Sequence, residues 1–345
     1  MKNKVIQFLE HEILLGNIPG AVIQITHQGQ TLLQESIGNR VLYPEKKPMH
    51  NDTVFDLASL TKVVATLPAI LKLIETGTIR LDDSVHFYLP NFHIKEITLK
   101  HLLTHTSGLP AHRPFYKEKL NKDQIIEKIC REPLTSKVGE KVVYSDLGLI
   151  LLYKIIEIVT KEKFEDFIQR EIFNPLEMKD TGFNPKHNRE QYAETEFNET
   201  IGDYKAGIVH DENAESMGGI SGHAGLFSTI KDLRNYALMI ENEGLYKGKR
   251  ILSSSVLSLA KQNFTPFDKE YRGLGWMLKS NTYSSCGDLF SNNSYGHTGF
   301  TGTSIWFDPE IKLHVILLTN RVHLGRKDGI IRLRPRLHNL IRSYF

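Results

Sequence analysis

Apolar residues fall at helical spacing from the start of the chain. Val5, Ile6, Leu9 and Ile13 share one face, and the pattern stops near Gly16, which predicts an amphipathic first helix. Strand-like runs follow. Residues 21–26 (AVIQIT) and 31–37 (TLLQESI) predict two strands joined by His27-Gln28-Gly29-Gln30. A second such pair lies near the other end, at 303–307 and 313–318 (LHVILL), joined by Asp308-Pro309-Glu310. Between them, residues 75–213 carry mostly helical patterns, at 122–131, 147–159 and 164–173. The polar stretch 186–205 has weak periodicity and predicts a long loop.

This layout predicts an α/β fold. One antiparallel sheet is built from both chain termini and flanked by helices, with a mostly α-helical domain inserted. The expected division is 1–74 with 214–345 for the sheet domain and 75–213 for the insertion, the active site lying between them.

Residues 57–77 (LASLTKVVATLPAILKLIETG) break the amphipathic rule, because apolar side chains surround nearly the whole helix. Burial on most sides follows. Pro68 inside this helix predicts a kink, at a cost of about 3 kcal/mol. Ser59, Thr61 and Lys62 at its start are polar residues heading for the interior, and they need a reason to be there.

Composition narrows the chemistry. The 345 residues carry 43 Lys+Arg against 40 Asp+Glu, a net charge of +3, which gives no reason to expect a nucleic-acid partner. Cys130 and Cys286 are the only cysteines, too few for a disulfide scaffold or a Cys-rich zinc site, and two unpaired thiols suit a reducing compartment. Lys2 and Lys4 precede apolar residues, but Glu10, His11 and Glu12 interrupt any signal-peptide core. No apolar run reaches the ~18 residues of a membrane span. A cytoplasmic protein is expected, with Met1 as the natural start. The basic segment 321–345 predicts a last helix whose arginines form a solvated face, with Ile330, Ile331, Leu333, Leu337, Leu340 and Ile341 turned inward.

Ser59-Leu60-Thr61-Lys62 is an S-x-x-K motif. Positions i and i+3 share a helix face, so hydroxyl and amine can meet. A serine needs a base to become a nucleophile, and burial that lowers a lysine pKa would supply one. The Ser59 N–H in the first turn is free to face a developing oxyanion. Tyr144-Ser145-Asp146 precedes a helix, and His297-Thr298-Gly299 leads into Phe300-Thr301-Gly302-Thr303 before a strand. Taken alone, these are an N-cap and a glycine-rich turn.

In this order the three motifs resemble the serine β-lactamase and penicillin-binding protein superfamily, in its class C-like branch. Leu102 to Leu109 (LLTHTSGL), Pro175-Leu176-Glu177-Met178 and Gly225-Leu226-Phe227-Ser228-Thr229 add to the likeness. The resemblance implies a β-lactamase/transpeptidase-like fold and a Ser59 acyl-enzyme hydrolysed by water. It implies that Lys62 and Tyr144 share proton transfer and that Asp146 occupies the third position of the tyrosine motif. Thr298 and Gly299 would line the substrate-pairing edge strand, and the N–H groups of Ser59 and Phe300 would form the oxyanion hole. Two departures bear on β-lactams. Asp146 stands where β-lactam-cleaving relatives usually have Asn, and His297 where they usually have a permanently charged Lys, although some peptidases of the superfamily carry His. Acylation by β-lactams fits the site better than their efficient turnover.

A narrower likeness lies in residues 207–214 (GIVHDENA), 218–227 (GGISGHAGLF), 194–196 (ETE) and 319–323 (TNRVH). These resemble N-acetylmuramoyl-L-alanine amidases of muropeptide recycling. The likeness implies a hydrolase of muropeptide amide bonds acting on imported fragments, with His210 and Glu196 as substrate contacts. His223 either lines the cleft or packs beneath it. A carboxylesterase on the same scaffold and a slowly deacylating penicillin-binding or D-amino-acid peptidase-like protein are the competing readings. No cofactor is expected. A zinc site from His210, His223 and His297 has no supporting motif, His101 and His105 read as turn and core residues, and Gly219, Gly222 and Gly225 lack a P-loop lysine.

Overall fold

A computed structural model describes all 345 residues. Helix α1 (Lys2–Leu14) leads into β1 (Gly20–His27) and β2 (Gln30–Val41), and Lys47–Pro48 adds a short β3. Late in the chain come β4 (Met277–Leu278), β5 (Tyr295–Thr298), β6 (Ser304–Asp308) and β7 (Leu313–Leu318). They form one antiparallel sheet in the order β4-β5-β6-β7-β1-β2-β3, so β7 pairs with β1 and the two chain ends meet at its centre.

Both faces of the central strands are covered, which is why LHVILL reads as a nearly unbroken apolar run. Leu313, Val315 and Leu317 join Ala21, Ile23 and Ile25 in a core with Val5 and Leu9 of α1 and Leu333 and Leu337 of the last helix. The alternate residues Val22, Ile305, Phe307, Ile316 and Leu318 belong to the main core. That core runs without a break into the helices of the 75–213 segment, including Lys122–Cys130 and Asp146–Thr160. Residues 186–205 are mostly loop, with a 3-10 turn and one short hairpin, Phe197–Asn198 with Asp203–Tyr204.

The expected kink at Pro68 takes a different form. The segment is a 3-10 turn (Ala58–Leu60), a π-helical turn (Lys62–Thr66) and then an α-helix, Leu67–Glu75, with Pro68 in its first turn. The proline falls where the π register passes into the α register, and its missing N–H leaves a single carbonyl to be met in another way. In the π register the carbonyl Pro68 would have reached is that of Val63, and it accepts the buried Tyr236 hydroxyl at 2.5 Å. The last helix (Gly329–Arg342) repeats the device: the Ile331 carbonyl, four residues before Pro335, accepts the Tyr283 hydroxyl at 2.6 Å. Ile331 itself lies on the outer face of this helix. It is 49% exposed rather than turned inward.

Tyr236→Phe should leave the Val63 carbonyl unsatisfied and cost about 1–3 kcal/mol, measured by urea denaturation. In a Pro68→Ala background, where an N–H is restored, the same change should cost less. Equal losses in both backgrounds would contradict this pairing.

Candidate active site

Ser59 sits in the 3-10 turn, where a loop becomes the buried helix. Ala58, just before it, has φ +45°, a left-handed conformation that costs a non-glycine residue about 1–2 kcal/mol. Buried Asp56 holds the turn: its carboxylate accepts the Ala58 N–H at 2.8 Å and the His210 N–H at 2.6 Å. Burial pushes the Asp56 carboxyl above its ordinary range against these two bonds.

Lys62 is fully buried, and its Nζ donates to Ser59 Oγ at 2.9 Å and to the His223 carbonyl at 3.1 Å. It also lies 2.8 Å from the Asp146 carboxylate and 4.9 Å from the centre of the Tyr144 ring. The expectation that burial lowers its pKa is overturned. Burial does oppose the charge, but Asp146 and Tyr144 together outweigh it, and Lys62 is held above its ordinary value as an ammonium ion. Asp146 is therefore the counter-ion of Lys62. It is the first residue of helix Asp146–Thr160, whose N-cap is Ser145.

Tyr144 is ringed by groups far apart in sequence. His105 packs on it at 4.5 Å between ring centroids and His297 at 6.0 Å, while the Arg272 guanidinium lies 5.3 Å from the ring centre. Burial, with Lys62 and Arg272 nearby, pushes His297 well below its ordinary pKa, and burial with Arg272 does the same to His105. His297 is thus uncharged at neutral pH, and its Nδ1 pairs with the Thr298 carbonyl at 2.9 Å. His105 and Arg272 escape the sequence reading because their neighbours lie in other motifs. The T-H-T-S-G run around His105 was the one available signal.

The His297-Thr298-Gly299 strand lies on an open edge. Its neighbour Met277–Leu278 pairs with β5 only at Tyr295 and Gly296. Beyond it, the loop 299–303 is stitched to the residues before Ser59: Thr301 Oγ1 donates to the Asp56 carbonyl at 2.8 Å and Thr303 Oγ1 to the Leu57 carbonyl at 3.0 Å. Gly299 is required here, since a Cβ would lie 2.5 Å from the Leu57 oxygen. The Phe300 N–H makes no hydrogen bond within the protein.

The predicted substrate contacts divide. His223 packs beneath the cleft, 1% exposed, with its ring bonded to Ser221 and Asp211. Burial raises the Asp211 carboxyl, but His223 and the Ala214 N–H hold it well below the usual range. His210 is also buried; it pairs with Glu196 at 3.0 Å and stacks on the half-exposed Phe300 ring. Glu196 is lowered to about 2, first by the His210 bond and then by Arg326, which also bridges to Glu212. His112, missed in the sequence, lies 4.0 Å from the Asp146 carboxylate. His210, His223 and His297 do not converge on one point, each ring being tied to a different partner. Ligand atoms of Asp146, Asp211 and His223 do lie within 4.8 Å of one another, and the Lys62 ammonium stands beside them.

The fold and motifs have counterparts. The Beta-lactamase family model matches residues 5–338. An N-acetylmuramyl-L-alanine amidase of Bacillus subtilis (strain 168) is 33% identical over 364 residues, covering 93% of this chain and 81% of that protein. A putative D-alanyl-D-alanine carboxypeptidase of Escherichia coli (strain K12) is 32% identical over 363 residues, covering 93% and 82%. Among solved structures, the class C β-lactamase of Rhodobacter sphaeroides superposes with a TM-score of 0.78 at 19% identity, covering all of both chains. EstCE1, a hydrolase with promiscuous acyltransferase activity, gives 0.80 at 22% identity, covering 99% of this chain and 98% of its own. By its family match, its relatives and the assembly of its three motifs in space, the chain belongs to the Beta-lactamase family.

Proposed function

We propose that this protein is a serine hydrolase that cleaves the amide bond between a muramic acid and the stem peptide of cell-wall-derived muropeptides, through an acyl-enzyme on Ser59. One observation carries the reading. A serine hydroxyl accepts a hydrogen bond at 2.9 Å from a buried lysine that also meets a carboxylate and a tyrosine. A resting surface pair would have no such enclosure.

Ser59 Oγ attacks the amide carbonyl, and the oxyanion is received by the N–H groups of Ser59 and Phe300. Lys62 is already protonated, so it accepts the serine proton only as it passes one of its own to Asp146. Tyr144, beside Lys62, supplies the proton that the leaving amine requires. The proton held on Asp146 then returns through Lys62 to Tyr144, and water attacks the ester, passing a proton through the same groups to Ser59 Oγ as the muramic acid leaves, so that Ser59, Lys62, Tyr144 and Asp146 all regain their starting states. His297, Thr298 and Gly299 offer the open strand edge to the substrate backbone, with His210 and Glu196 supporting the Phe300 rim.

The uncharged His297 favours the amidase over a carboxypeptidase. A terminal D-alanine brings a carboxylate to the edge strand, where the imidazole itself offers no charge and the cations beside it, Lys62 and Arg272, are already paired with Asp146 and Glu270. The same feature favours β-lactams as acylating ligands over β-lactams as rapidly turned-over substrates. Action in the cytoplasm on imported fragments belongs to this reading; the free buried thiols Cys130 and Cys286 suit a reducing compartment.

Incubation with a muramoyl-L-alanyl peptide, a D-alanyl-D-alanine peptide and a short acyl ester, followed by mass spectrometry, should give free stem peptide from the first and little free D-alanine from the second. Brisk ester hydrolysis with an untouched muropeptide would support a carboxylesterase instead. Ser59→Ala should abolish turnover, and Tyr144→Phe should reduce kcat by roughly 10²–10⁴-fold. In Asp146→Asn the countercharge is gone, and burial brings the Lys62 pKa down. An amine is a base only above its pKa, so the activity of this variant should climb with pH across 5–9 more steeply than the wild type. Parallel profiles would argue against Asp146 as the partner of Lys62.

A further inference from the structure

The basic C-terminal segment is not a solvated face throughout. Arg334, on helix Gly329–Arg342, is 6% exposed and has no carboxylate partner. Its Nη2 donates to two carbonyls, those of Gly299 and Thr303, each at 2.9 Å, and its Nε is buried without a partner. Arg321, 7% exposed, donates from Nε to the Phe300 carbonyl at 2.9 Å, with its guanidinium 4.6 Å from the Phe300 ring. Three carbonyls of the loop beside the nucleophile are therefore held by two arginines from the end of the chain.

A guanidinium without a counter-ion is a costly thing to bury. Burial, with Arg321 close by, lowers the Arg334 pKa to about 9, which still leaves it charged at neutral pH. Two neutral carbonyls answer the charge only in part, so fold stability alone gives a weak reason for the arrangement.

Peptide geometry gives a better one. The Gly299 carbonyl and the Phe300 N–H belong to the same planar trans peptide and point in opposite directions. Whatever fixes the carbonyl on one side aims the N–H on the other. The Gly299 carbonyl faces Arg334, while the opposite side of that peptide carries the one N–H of the loop proposed to receive the oxyanion. Thr301 and Thr303 fasten the same loop to the Asp56 and Leu57 carbonyls, which fixes its distance from Ser59. A cation on the carbonyl side also polarises the peptide and strengthens its N–H as a donor.

We propose that Arg334 is a positioning residue for the oxyanion hole: by holding the Gly299 carbonyl it aims the Phe300 N–H at the substrate oxygen, with Arg321 bracing the next peptide. This rests on the Ser59 acyl-enzyme reading above. The effect belongs to the transition state, so it is expected in kcat and not in substrate binding.

The test uses the full-length protein and the substrate found to turn over. Arg334→Ala should lower kcat roughly 100-fold, the scale of losing one oxyanion donor, with KM changed less than about threefold. Added guanidinium chloride at low millimolar concentration should restore part of that kcat in Arg334→Ala and do nothing for the wild type. Arg334→Lys, which keeps the charge, should fall between the two and serves if the alanine variant does not fold. A tetrahedral boronic acid adduct on Ser59 should weaken in parallel with kcat. A folded variant with unchanged kcat, or one whose KM rises while kcat holds, would overturn the proposal. Failure of the underlying reading is seen separately: Ser59→Ala would then retain hydrolysis whatever Arg334 does.

Discussion

A charge removed from water must be answered within the protein, and the active-site half of this structure is arranged around one such charge. The Lys62 ammonium is fully buried and survives there because Asp146, Tyr144, Ser59 and the His223 carbonyl converge on it. These partners come from three segments, Ser59 from the lysine's own, Tyr144 and Asp146 from the Y-S-D motif, and His223 from a third. The lysine begins a π-turn, the carboxylate begins a long helix, and the carbonyl belongs to a glycine-rich loop. Close approach is enforced at that loop too, since a Cβ on Gly222 would lie 2.2 Å from the Leu149 oxygen and Thr66 donates to the Gly222 carbonyl. Removing any one partner leaves a buried ion underpaired. Packing of the helices and chemistry at Ser59 are thus the same problem.

A second constraint links the Ser59 turn and the 297–299 strand. Asp56 holds the strained Ala58 turn and, through the Thr301 bond to its carbonyl, the 299–303 loop. Three of the loop's carbonyls, those of Gly299, Phe300 and Thr303, go to Arg334 and Arg321. Segments 56–58, 299–303 and 321–334 form one hydrogen-bonded unit. Two residues just after β7 close the other side: Asn320 donates to the Arg40 and Glu194 carbonyls, and His323 accepts the Leu42 N–H. The TNRVH run that resembles the amidases acts here mainly as a stitch between β2 and the 194–196 segment.

Short-range patterns were legible in the sequence. Alternation and apolar runs located the four long strands, and the order of S-x-x-K, Y-S-D and H-T-G announced Ser59, Lys62 and Tyr144. What stayed hidden depended on partners remote along the chain. The direction of the Lys62 shift could not be read from an apolar helix, because it is set by a carboxylate in another motif. Arg334 looked like one arginine among six in a solvated basic segment, and only the fold brings it to the Gly299 carbonyl. His105 and Arg272 lack any local signature of contact with Tyr144. Pro68 signalled a break correctly, but not that a π-turn and a tyrosine hydroxyl would absorb it.

The central claim is that Ser59 carries the acyl group of a muramoyl substrate. Rapid quenching of the protein with a muramoyl-L-alanyl peptide, followed by mass spectrometry of the intact chain and of its Ser59 peptide, tests this most directly. The account predicts a transient mass increase equal to the muramoyl group, mapped to Ser59 and formed together with release of the stem peptide. Stem-peptide release with no adduct at Ser59 at any quench time, or an adduct on another residue, would contradict it.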